Sequence, residues 1–247
     1  PATLAIALDK SDPYIQLANT IGNSSTFEAL GGMEERAASL GNKSTAIVVQ
    51  RVLVRFVRGA CEGRSFQEGS LNRVADPNLT MESSQDIQSK LEGFIGALVE
   101  QMGPDRFRDR NSLHLSAPGW QVLGVVFHDL EFILGERITE GMYEDILKRL
   151  ATIDWSRYNP DWIGMIGEPE RDKVTQKAVT DSDGRKRVAL SRAGSTTIAA
   201  MLKYVREKCG LDELLAELET NTGHAVPSDS TPGESDGLTA TGIRGAV

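Results

Sequence analysis

Four times along this chain a helix-start signal is followed by apolar residues three and four apart, and that succession restricts the fold to packed helices. Ser11-Asp12-Pro13 opens the first: a capping side chain, then a proline suited to the first turn, with Ile15, Ala18 and Ile21 on one face and Gly22-Asn23 at the end. Ser83-Ser84 opens the second, which runs through Ile87, Leu91, Phe94, Ile95 and Leu98 and stops at Gly103-Pro104. Ser116-Ala117-Pro118 opens the third, with Trp120, Leu123, Val126, Phe127 and Leu130, and Thr139 opens the fourth, with Met142, Ile146, Leu147 and Leu150. Short connections between such segments favour antiparallel neighbours in a bundle.

A further helix is read after Ser44 or Thr45, where Ile47, Val48, Val52, Leu53, Phe56 and Val57 form a wide apolar stripe. Many of these residues are β-branched and favour strands locally, but their spacing predicts a buried helix. Arg51, Arg55 and Arg58 fall on its other side as a solvated or ion-paired face, with a contact to a polyanion or to a missing part of the protein as the alternatives. Ile198, Met201, Leu202 and Val205 predict a later helix ended by Gly210, followed by a short amphipathic one over 212–218. Residues 27–43 and 63–79 are rich in turn formers and read as irregular, while 3–8 and 186–190 read as short strands. The fold class is therefore mainly α, a bundle-like helical domain with a few short strands. The opening strand and the lack of an initiator methionine suggest the C-terminal part of a larger α+β protein. Three regions follow: a helical core over 1–152, a tryptophan-containing basic loop with C-terminal helices over 153–219, and a Ser/Thr/Gly/Pro-rich tail over 220–247 read as disordered.

Composition excludes some classes. No stretch approaches the ~18 apolar residues of a membrane span, and the first residues lack a signal-peptide pattern. The two cysteines, Cys61 and Cys209, form no Cys-x-x-Cys pair, which points to idle thiols in a reducing cytoplasm. The net charge of −8 argues against indiscriminate nucleic-acid binding, but the charge is unevenly spread. Residues 171–208 hold ten Lys/Arg against four Asp/Glu, and 211–236 hold seven Asp/Glu and no Lys/Arg.

The stretch Ile153-Asp154-Trp155-Ser156-Arg157-Tyr158-Asn159-Pro160-Asp161-Trp162 resembles the C-terminal region of the DndB (DGQHR-domain) family. Two weaker features are similar: the strand-to-helix step from Pro1 to Pro13, and Gly41-Asn42-Lys43-Ser44-Thr45 leading into an apolar helix. The Asp-Gly-Gln-His-Arg motif is absent, and in relatives it lies N-terminal to this region. The resemblance implies a DNA-binding regulatory or accessory protein of a bacterial DNA phosphorothioate-modification system, with DNA and modification proteins as partners. It also assigns Asp154, Trp155, Ser156, Arg157, Asn159 and Trp162 to a family motif, read here as structural.

The basic run provides the candidate DNA contacts, Arg185, Lys186 and Arg187, with Arg192, Lys203 and Arg206 after it, because phosphates recruit such cations. Trp155 and Trp162 either stack on an exposed base or pin the long 154–187 loop to the core, and the second reading is preferred. His128 and Glu131 have the spacing of a metal-ligand pair, but a site needs more ligands, so no metal and no cofactor are assigned. Ser191-Arg192-Ala193-Gly194-Ser195 reads as a helix cap and not as a P-loop. With no nucleophile elbow, zinc pattern or dinucleotide fingerprint, the reading leans away from an enzyme. The rival is a non-catalytic module that docks onto a missing N-terminal half or a modification enzyme.

Overall fold

The computed structural model describes residues 12–41, 43–63, 81–190 and 194–222. Helix α1 (Pro13–Gly22) starts as its sequence dictates: Asp12 Oδ1 accepts from the Tyr14 N–H at 2.8 Å and Pro13 fills the first turn. The irregular chain expected at 27–43 is instead partly ordered. Helix α2 (Ser25–Leu30) ends on Gly31 in the left-handed region, and strand β1 (Met33–Glu34) follows. Strand β1 pairs in parallel with β2 (Val48–Val49), Met33 opposite Val48. Two distant arginines hold this segment. Arg110 donates to the carbonyls of Gly41, Ser44 and Ala46, and Arg108 donates to that of Ala29.

The helix expected from Ser44 or Thr45 begins later, as α3 (Gln50–Glu62), because Val48 and Val49 are drawn into the strand ladder that β-branched residues suit. Helix α4 (Met81–Met102) is followed by the single turn α5 (Pro104–Phe107). Helix α6 (Ala117–His128) is the axis of the molecule. Ser116 caps it, its Oγ accepting from the Gly119 N–H at 3.2 Å, and every residue from Pro118 to Phe127 is buried, the signature of a helix surrounded on all sides. Helix α3 lies along it so closely that a Cβ at Gly124 would collide with the Phe56 carbonyl. Trp120 sits at this crossing, 5.3 Å from Phe56, 5.8 Å from Phe27 and 6.2 Å from Phe107.

Past His128 the helix widens into a π-helical stretch, Asp129–Leu134. Thr139 caps α7 (Glu140–Thr152), which packs on α4. Helix α8 (Ser195–Cys209) packs on α6 and α7 and ends on Gly210, φ 75°. Helix α9 (Leu211–Thr222) is longer than the 212–218 expected and reaches into the 220–247 tail, the rest of which lies outside the described residues. The expected strand at 3–8, and all but Gly63 of the expected loop at 63–79, also lie outside them. One hydrophobic core runs from Tyr14 to Leu211 and includes Trp155, Trp162, Ile166 and Val188. The residues after 153 therefore share the core of the helices before them. The architecture is mainly α, as the periodicity predicts.

Candidate nucleic-acid interface

The long connection after α7 is a knot from which an arm extends. Arg106 donates to the carbonyls of Ala151 and Ile153, satisfying the end of α7. Asp154 then turns the chain, its Oδ1 accepting from the Ser156 N–H at 3.0 Å. Trp155 and Trp162 are buried and stacked on each other, ring centres 5.9 Å apart. Each indole N–H has a carbonyl partner, Leu150 at 3.1 Å for Trp155 and Asp154 at 3.0 Å for Trp162. Asn159 Nδ2 donates to that same Asp154 carbonyl at 2.9 Å. Neither ring is open to a nucleotide base, so of the two readings of these tryptophans the anchoring one fits the geometry.

Arg157 clamps the base of the arm. Its Nε and Nη2 donate to the Val188 carbonyl at 3.0 and 2.6 Å, and Nη2 also reaches Glu170 at 2.9 Å. In return the Val188 N–H donates to the Arg157 carbonyl at 2.8 Å. Burial, with Arg187 close by, pushes the Arg157 pKa down, and Glu170 opposes the shift.

The arm, residues 168–189, is a forked β structure. At its base Pro169 bridges Val188. Beyond it Arg171 bridges Ala178 and Thr180 bridges Lys186, all antiparallel. The middle segment is thus shared between two hairpins, one turning at 172–177 and the other at 181–185. Both turns are closed by an aspartate. Asp172 Oδ1 takes the N–H groups of Val174 and Thr175, and Asp181 Oδ1 takes those of Asp183 and Arg185. The strand expected over 186–190 is present only as these isolated bridges, because each pairing spans one or two residues before the fork diverts it.

The candidate cations are placed unequally. Lys186 is exposed on the arm with no carboxylate in ion-pair range among the described residues, and Lys203 is exposed likewise on α8. Arg185 is half-exposed and held by Asp181 at 2.8 Å. Arg187 turns inward to Glu170 at 3.5 Å and to Asn111 at 3.0 Å. Arg206 is bound at both ends by the buried carboxylate of Asp129. Arg192, with Ser191 and Ala193, lies outside the described residues, and Gly194 occupies the cap position of α8 without a side-chain bond. The arginine face of α3 is also split. Arg51 is exposed and Arg55 is half-buried, whereas Arg58 is buried, paired with Glu62 at 3.3 Å and set over the Tyr14 ring.

The metal-ligand candidates His128 and Glu131 have other partners. His128 lies against Phe132, and Glu131 pairs with Lys90 at 3.6 Å. No cluster of three metal-ligating side chains occurs among the described residues. His114 is fully buried, 3.3 Å from the Phe107 carbonyl, and desolvation with Arg106 nearby lowers its pKa to about 4. Cys61 and Cys209 form no disulfide with each other, and burial pushes the Cys209 thiol up to about 12. Among the described residues no helix is long and apolar enough to cross a membrane.

Residues 1–212 match the model of a family described as DndB, DNA-sulfur modification-associated. The chain belongs to the DndB family. Membership ties it to DNA sulfur modification, and the matched span takes in every helix from α1 to α8 together with the tryptophan knot and the arm. No curated protein and no solved structure matches this DndB chain. In it the Asp-Trp-Ser-Arg stretch is the arm's foundation. Sequence reasoning missed the arm's other hairpin, with Lys173, Val174 and Lys177. Its signal is the repeated pattern of an aspartate a few residues ahead of a cation, at Asp172 to Lys177 and at Asp181 to Arg185.

Proposed function

We propose that this protein is a DNA-binding regulatory or accessory component of its sulfur-modification system, with the arm and the exposed edge of α8 as the DNA contact. The observation that carries the reading is the outward projection of Lys186 and Arg185 from an arm whose base is fixed to the core through Arg157 and Val188. Cations presented on a rigid support can neutralise phosphates without first ordering the loop that holds them. Lys203 adds a third exposed charge, and Arg192 joins the same set by sequence. Arg187 and Arg206 support the surface from beneath through Glu170 and Asp129. Fluorescence anisotropy of the whole chain with duplex DNA at moderate salt tests the reading. Saturable binding that weakens in a Lys186→Gln, Lys203→Gln variant is expected, and no binding by the wild-type chain would overturn it.

A second reading is a docking module for another protein of the modification system. It is favoured by Phe132 and Ile133, which leave the π-helical stretch 47% exposed each. Its mark is co-purification of such a partner with the wild type and its loss with Phe132→Ser, with no DNA shift.

A further inference from the structure

The tip at 172–177 is built to present one apolar side chain. Val174 is 89% exposed, the most exposed large apolar residue among those described. Its turn is nevertheless closed by side-chain hydrogen bonds. Asp172 Oδ1 accepts from Val174 N at 3.0 Å, from Thr175 N at 2.7 Å and from Thr175 Oγ1 at 2.9 Å. These bonds, those from Thr175 first, hold the Asp172 carboxyl below its usual range. Gln176 lies in the left-handed region, φ 58°, which non-glycine residues adopt at a cost. It is kept there from both sides: its Nε2 donates to the Lys173 carbonyl at 3.0 Å, and Arg171 donates to its own carbonyl at 3.1 Å. Strained residues held this firmly cluster at binding sites. Lys173 and Lys177 flank Val174, both exposed and, among the described residues, with no carboxylate in ion-pair range.

We propose that this tip enters the major groove of duplex DNA, with Lys173 and Lys177 on phosphates and Val174 against the 5-methyl group of a thymine. The inference rests on the DNA reading above and adds to it a groove and a base contact. The major groove, about 12 Å wide, admits a two-stranded β-ribbon and displays an apolar methyl group that the minor groove lacks. The thymine methyl is the apolar group that base edges display there, and phosphates line the groove on both sides. An apolar residue between two lysines is complementary to that surface.

The test uses the full chain and two duplexes, one of alternating A·T pairs and one with deoxyuridine replacing every thymidine. Removing the methyl groups should weaken wild-type binding about fourfold, the factor equivalent to ~0.8 kcal/mol for one buried methyl. Val174→Ser should bind both duplexes equally, and Lys173→Gln with Lys177→Gln should weaken both alike. If the wild type binds DNA but deoxyuridine costs wild type and Val174→Ser the same, the groove contact is wrong and the wider DNA reading stands. If the wild type binds neither duplex, both fall. If Val174→Ser leaves DNA affinity intact but releases a co-purifying protein, the tip is a protein contact and the proposal is overturned.

Discussion

The guanidinium of Arg206 on α8 holds both carboxylate oxygens of Asp129, at 2.8 and 2.7 Å, at the point where the central helix widens into its π-helical stretch. Asp129 is almost fully buried, so the pair fixes α8 to the axis of the molecule at the cost of desolvating two charges.

Removing one partner should leave a buried charge without its main counterpart. Arg206→Met is expected to lose about 3–5 kcal/mol in urea denaturation, and adding Asp129→Leu should recover much of that loss. A single-variant loss below about 1 kcal/mol would mean the pair behaves as a surface ion pair.

Burial holds His114 neutral, with its folded pKa near 4 against about 6.5 when exposed. Between those values the unfolded chain binds a proton that the folded chain refuses. Stability from this group is therefore full above pH 6.5 and falls as pH drops towards 4, by about 3 kcal/mol in all. The difference between wild type and His114→Gln in denaturant midpoints across that window should carry this slope. Parallel curves would refute it.

Trp120, Trp155 and Trp162 are the chain's three tryptophans, and all are buried. Their emission should be blue-shifted, resist acrylamide quenching and stay unchanged when duplex DNA is added. DNA-dependent quenching that disappears in Trp155→Phe would restore the base-stacking reading.

Glycines inside the helices should divide by their neighbours. Gly124→Ala forces α3 and α6 apart at the Phe56 carbonyl and should cost roughly 2–3 kcal/mol. Gly96 in α4 has open space beyond its Cα, so Gly96→Ala should stabilise by about 0.5–1 kcal/mol. Differential scanning calorimetry checks both signs.

Helices α1, α6 and α7 are legible in the sequence because each carries its own start signal and period. Asp12, Ser116 and Thr139 all cap their helices, and Gly210 ends α8 in the left-handed conformation. Helix α2 and strand β1 are not legible, since the contacts made to this region, from Arg108 to the Ala29 carbonyl and from Arg110 to the chain just after β1, come from far away in the chain. The arm is hidden for a related reason: its pairings are single bridges, too short to impose alternation. The tryptophan stretch stands out in the sequence, but the direction of each cation does not. Arg185, Arg187 and Arg206 look alike in a sequence. Glu170 and Asp129 turn the latter two inward, and only the fold brings those carboxylates near them.

On the DNA reading proposed above, exposed cations of the arm meet a polyanion. The most direct measurement is the dependence of duplex-DNA affinity on salt concentration for the wild type and for Arg185→Gln with Lys186→Gln. A linear log–log decline is predicted, its slope reduced by about 0.9 for each phosphate that the variant no longer neutralises. A wild-type slope near zero, or identical slopes for the two proteins, would contradict it.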